Sequence, residues 1–156
     1  MTRRSRIRLA AAVLFVMVQA ALPQCLLGQR RAAIVPGLRF GPPLRAGFAL
    51  GVAYGNRTSF SQFGGVIAVG EVGVGGGRAS AGLFLAGPYA SGVEVLGSAI
   101  RTWGSPSQLE RGQTLLGGEL RSSFFFVNVG GGMFRPVGGF DGDRRTRYYL
   151  NVGLGI

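Results

Sequence analysis

Few residues in this chain can do chemistry. Six carboxylates stand against seventeen arginines, histidine is absent, and Cys25 is the only cysteine. Without histidine there is no Ser-His-Asp triad, no Cys-His dyad and no imidazole-bound metal. A single cysteine closes no internal disulfide. Cys25 follows Ala21-Leu22-Pro23-Gln24, with glutamine where a lipidation site wants a small residue, so a free thiol is the expectation. Asp141 and Asp143, in Gly139-Phe140-Asp141-Gly142-Asp143, have the opening spacing of a calcium loop. The glutamate that would close an EF-hand is missing, and Asp-Gly is ordinary turn chemistry. The run Gly73-Val74-Gly75-Gly76-Gly77 lacks the lysine and the helix of a phosphate loop. The strand segments carry Glu71, Glu94, Glu119 and Arg121 as candidates for a common face. Glu119 and Arg121 are two apart, so in a strand they leave from the same face. These four form the candidate site as a charge network; no residue is assigned as catalytic, cofactor-binding or metal-binding, and neither enzyme activity nor a cofactor is expected.

The elements that must carry those charges alternate with period two. The last nine residues put Tyr148, Leu150, Val152, Leu154 and Ile156 on one face and Tyr149, Asn151, Gly153 and Gly155 on the other. Too little charge lies on the second face for it to meet water well, which leaves lipid as the solvent for the first. Residues 47–55 repeat the pattern, with Phe48, Leu50, Val52 and Tyr54 opposite only Gly and Ala. Taken alone, that segment fits equally a strand buried on both sides of a sandwich. Further strands are expected at 65–74, 78–86, 92–103, 114–122, 127–134 and 148–156. In 65–74 both faces are apolar, so the facing is ambiguous and the pattern leaves room for a bulge. An eighth strand at 33–40 is demanded by parity, with Pro36 marking it as an edge or irregular strand. Trp103 suits an interfacial belt or, as plainly, a cap on a hydrophobic core. Phe124-Phe125-Phe126 cannot all face one side and needs a second apolar environment.

Backbone amides in hydrocarbon must all be paired, so an apolar-faced sheet survives there only when closed. The expected fold is therefore all-β: a transmembrane up-and-down antiparallel barrel of about eight strands, with a lumen filled by side chains. If the C-terminus faces the periplasm, 104–112 and 136–145 are long outer loops. A long inner connection at 56–62 and a short outer one at 75–77 fit that scheme poorly.

Residues 1–20 have a basic start (Arg3, Arg4, Arg6, Arg8), an apolar run and Val18-Gln19-Ala20. That is the pattern of a secretory signal peptide. Its removal would lower the formal charge from +11 to +7. The organisation expected is signal peptide 1–20, flexible mature N-terminus 21–31 and barrel 32–156. At 29 residues, glycine is more than twice its usual share. Nearly half the residues are hydrophobic, which argues against disorder.

The final strand, together with Gly117-Gly118-Glu119-Leu120-Arg121 and Val127-Asn128-Val129-Gly130-Gly131-Gly132, resembles small bacterial outer-membrane β-barrel proteins, over residues 46 to the end. The resemblance implies that Tyr148, Leu150, Val152, Leu154 and Ile156 are the assembly signal read by the barrel-assembly machinery, with Ile156 standing where the class ends in Phe or Trp. It also implies a monomer in the outer membrane of a Gram-negative-type bacterium. Arg144, Arg145 and Arg147, with Arg101 and Arg111, are expected at the outer rim, where guanidinium pairs the phosphates of lipopolysaccharide; solvated loop charges are the plainer alternative. Scattered arginines behind an exporting leader suit nucleic acid poorly. The expected role is non-enzymatic, structural or surface-interacting. Two alternatives stay open. One is a soluble periplasmic β-barrel with its apolar faces around a hydrophobic ligand. The other is a Gly-rich inner-membrane helical protein, on the small-xxx-small spacing of 79–100, against which Pro88 and Glu94 argue.

Overall fold

Alternation along the chain becomes alternation across a wall. In the computed structural model, which describes residues 31–59, 62–88, 91–103, 111–138 and 145–155, eight strands pair in sequence order and close on themselves. They are β1 (Arg31–Gly41), β2 (Arg45–Ser59), β3 (Gln62–Gly73), β4 (Gly76–Ala86), β5 (Gly92–Thr102), β6 (Thr114–Phe124), β7 (Val127–Gly138) and β8 (Arg147–Gly155). Every neighbouring pair is antiparallel, and β1 meets β8 to seal the barrel. The helical alternative fails against this all-β architecture. The expected leader 1–20, most of the stretch 21–31, Cys25, the Asp141/Asp143 turn, Arg144 and Ile156 lie outside the described residues.

Three expectations about individual segments are corrected. First, β1 is neither an edge nor irregular: it holds eleven registered pairs with β2, from Arg31↔Gly55 to Gly41↔Arg45. Closure removes edges, and Pro36 stands just past the β1–β8 ladder, which runs Gly37↔Gly155 to Phe40↔Val152. Second, β3 carries no register shift between Gly65 and Gly73; the shifts fall at Arg57/Ser59 and Thr114/Leu115. Both faces of β3 are apolar, so Glu71 decides the facing by going inside with Ile67 and Val69. Third, 56–62 is not a long connection. Its polar residues read as loop, but the backbone stays paired through Asn56↔Gly64, Arg57↔Phe63 and Ser59↔Gln62. The connection at 75–77 shortens likewise, because β4 already begins at Gly76.

One end of the barrel carries the connections 42–44 and 74–75, the ends of β5 and β7 and the starts of β6 and β8, and is called the loop end here. Its wall is drawn in. Pro43 and Leu44 are buried, and Leu44 rests on Gly73 and Gly76. Backbone bonds from Gly75 N to Leu44 O (3.2 Å), Trp103 N to Gly75 O (3.3 Å) and Thr102 N to Gln113 O (3.0 Å) stitch the turns together. The other end holds Arg31, Gly155 and the tight turn at Phe125-Phe126.

Outside, the barrel is greasy. Leu50, Val52, Val95, Leu120, Leu150 and Val152 are among many large apolar side chains exposed on the outer face. Charged residues on that face, Arg101 and Arg135, stand toward the loop end. Aromatics gather toward the rims, with Phe40, Phe48, Trp103 and Tyr148 on the loop side and Tyr54 and Phe124 to Phe126 on the other, all exposed. Among the described residues the three phenylalanines find no second protein environment: Phe124 and Phe125 meet edge to face at 4.7 Å, and Phe126 is exposed beside them. Inside, the apolar residues form two groups, Ala49, Ala53, Ile67, Val69 and Leu96 in one, Ile100, Leu115, Phe134 and Tyr149 in the other. The charged residues of the interior make up the site.

Candidate functional site

A strand that turns its apolar side chains outward must turn its remaining residues inward, whatever their charge. Parity therefore brings Arg39 of β1, Glu71 of β3, Arg78 of β4, Glu94 of β5, Glu119 and Arg121 of β6 and Asn151 of β8 into one lumen. Register sets them beside each other. Glu71 is the direct partner of Arg78 across β3–β4, and Glu94 of Arg121 across β5–β6.

Glu119 is the hub. Its side chain is fully buried, and it accepts from Arg78 Nη1 at 3.0 Å on each oxygen, from Arg121 Nε at 2.8 Å and Nη2 at 2.9 Å, and from Asn151 Nδ2 at 2.8 Å. Ser98 Oγ donates to Ser80 Oγ at 2.8 Å and also lies 3.4 Å from Glu119. The remaining pairs are looser: Glu71 lies 3.8 Å from Arg39 and 3.7 Å from Arg78, and Glu94 lies 3.6 Å from Arg121. Three guanidinium groups meet three carboxylates, so the cluster is neutral. Burial of charge is costly unless each ion is paired and hydrogen-bonded. Glu119 meets that condition most fully.

Room for the hub comes from Gly130, which lies between Arg121 and Asn151 in register. A methyl group there would stand 2.8 Å from Asn151 Oδ1, 2.9 Å from Arg121 Cγ and 3.2 Å from Glu119 Oε1. The chain supplies a glycine because the network fills that space. Gly130→Ala is expected to destabilise the barrel by about 1–3 kcal/mol through overpacking. Gly118→Ala serves as the contrast. A methyl there meets only Leu96 O at 3.9 Å, and the change should stay within about 0.5 kcal/mol. Urea unfolding in lipid vesicles measures both.

All four residues read as a charge network from the sequence, Glu71, Glu94, Glu119 and Arg121, thus lie in the lumen. The reading missed Arg39, Arg78, Asn151 and the Ser80–Ser98 pair. A signal for the arginines was present. Three glutamates and one arginine in a dry interior leave two negative charges uncompensated, and neutrality requires two more cations on inward positions. Arg39, opposite in parity to Leu38 and Phe40, and Arg78, opposite to Ala79 and Leu83, satisfy it.

The rim arginines are placed differently from one another. Arg145 is exposed ahead of β8, whereas Arg147 is half-buried on the lumen side at the start of β8. Arg101 is exposed and donates to Thr114 Oγ1 at 2.8 Å, and Arg111 is exposed between β5 and β6. Of the residues proposed as an assembly signal, Tyr148, Leu150, Val152 and Leu154 all face outward and exposed.

Each carboxylate of the cluster faces a guanidinium, and Glu119, which Ser98 Oγ also approaches, is completely buried. Among the described residues, no three His, Cys, Asp or Glu side chains gather where they could hold a metal ion.

Fold and interior together define a class: a closed, antiparallel, eight-stranded barrel with a charge-balanced interior and an apolar exterior. Comparison with protein-family models, with curated proteins and with solved structures finds no match.

Proposed function

We propose that this chain is a non-enzymatic outer-membrane β-barrel with a structural or surface-interaction role, its lumen plugged by its own side chains. In this reading it is exported behind residues 1–20, inserted as a monomer by the barrel-assembly machinery, and held with its loop end toward the cell exterior. One observation carries the reading: the apolar face of a closed barrel points outward, with Arg101 and Arg135 kept toward its loop end, while the paired charges point inward. A monomer in water rarely exposes contiguous apolar patches beyond a few hundred Å². Strands of nine to fifteen residues are also long enough to cross hydrocarbon when tilted, which takes about 9–11. A soluble barrel built around a hydrophobic ligand would need the opposite facing, and its interior would not hold six charged groups. The arginines toward the loop end, Arg101, Arg111, Arg135 and Arg145 among them, give that rim the sign a phosphate-rich lipopolysaccharide surface would meet.

The test is refolding of the chain, without residues 1–20, into phosphatidylcholine vesicles. Unheated samples are expected to migrate faster on a denaturing gel than boiled ones, to sediment with the vesicles, and to resist extraction without detergent. A detergent-free monomer in the aqueous fraction would overturn the reading.

A further inference from the structure

We propose that the outer wall at the β1–β2–β3 corner is a lipid site, which takes one acyl chain of a phosphate-bearing membrane lipid and holds its phosphate at Arg45. This rests on the membrane reading above. At the loop end of this corner the outer surface holds a shallow, open crevice of about 440 Å³. Leu38 and Phe40 of β1, Phe48 of β2, and Val72 and Val74 flank it, and the small Ala46 leaves its floor low. A methyl on Gly47 would point inward, 3.4 Å from Glu71 Oε1, and one on Gly73 would meet the buried Leu44, so neither glycine shapes the crevice. Ala46 does: its side chain is exposed on the outer face, where any larger apolar residue would fill the crevice. The hollow is thus a consequence of one replaceable side chain.

The size selects the occupant. A volume of this order falls in the range of small-molecule sites, about 300–1,000 Å³, whereas a protein partner requires about 800 Å² on each side. The chemistry selects it further. The lining is hydrocarbon, and at the rim, next to Ala46, stands Arg45. That residue is exposed and has no ion-pair partner among the described residues. Its backbone is left-handed, with φ 66°, a conformation that side-chain-bearing residues other than Asn or Asp rarely adopt. An arginine kept where glycine or asparagine would sit without strain supplies a cation beside an apolar slot. A phosphate above an acyl chain has the matching order of groups, and guanidinium binds phosphate bidentately.

The experiment uses the folded barrel in detergent, loaded with dipalmitoyl phosphatidylglycerol and read by native mass spectrometry. The barrel is expected to retain one lipid. Arg45→Asn, which keeps the left-handed backbone and removes the charge, should weaken retention about tenfold, or about 1.4 kcal/mol. Ala46→Trp, which fills the crevice from the lipid side, should abolish it, and heat-modifiable migration checks that each variant has folded. Uncharged dipalmitoylglycerol should bind about tenfold more weakly than the phospholipid. A folded wild type that retains no lipid overturns the site, as does Ala46→Trp retaining it unchanged, or dipalmitoylglycerol binding equally. Failure of the wild type to enter vesicles would instead count against the membrane reading, so the two failures are distinguishable.

Discussion

Glu119→Gln is expected to destabilise the folded barrel by about 3–5 kcal/mol, the cost of breaking a buried ion pair by removing one partner. The carboxylate accepts from two guanidiniums and one amide at 2.8–3.0 Å. Glutamine keeps the volume but offers one oxygen instead of two, and turns an amide NH2 toward Arg78 or Arg121. The cluster then carries one uncompensated positive charge in a site that solvent does not reach. Glu94→Gln is the internal control. Its side chain is 20% exposed and its partner, Arg121, lies 3.6 Å away, so the loss should be about 1 kcal/mol or less. Urea titration of each variant in vesicles gives both values. Equal losses for the two would mean that Glu119 is not the hub, and the account of the interior would fail with it.

Why Glu119 was legible in the sequence and its partners were not follows from strand geometry. Period-two alternation gives the face of a residue, which is why Glu119 and Arg121 could be put together from their spacing alone. It does not give the neighbour across the ladder. Arg78 reaches Glu119 from two strands away along the wall, β4 to β6, a relation fixed by register and shear, neither of which a single strand encodes. Arg39 was hidden by Pro36, since a proline lowers the expectation of a regular strand and with it any use of parity. The continuation of pairing through Asn56, Arg57 and Ser59 was hidden by chemistry: polar residues read as a loop, although they do not end the ladder. Where a segment carried a strong one-sided pattern, as in β2 and β8, the sequence reading placed each large apolar side chain on the face it occupies. Where both sides were apolar, as in β3, only Glu71 carried the information.

The membrane proposal itself is exposed most sharply by a single residue of that outer face. Leu120 lies near the middle of β6, pairs with Val95 and Gly131, and is 58% exposed. Leu120→Arg therefore adds a charge to the wall without touching the interior network, although Glu119 and Arg121 are its chain neighbours, because their side chains leave from the opposite face. In hydrocarbon near the midplane such an arginine costs about 2–4 kcal/mol, falling toward the interfaces. In water the same change at an exposed position shifts stability by about 0.5 kcal/mol at most. The expected result is a loss of about 2–4 kcal/mol in vesicles for Leu120→Arg, with a smaller loss for Tyr148→Arg at the loop-end rim, where the side chain is 76% exposed. A depth-dependent pair of values of this kind requires a low-dielectric slab around the barrel. Two values that are both near zero would mean that water surrounds the greasy wall, and the folded chain would then need another partner to cover it.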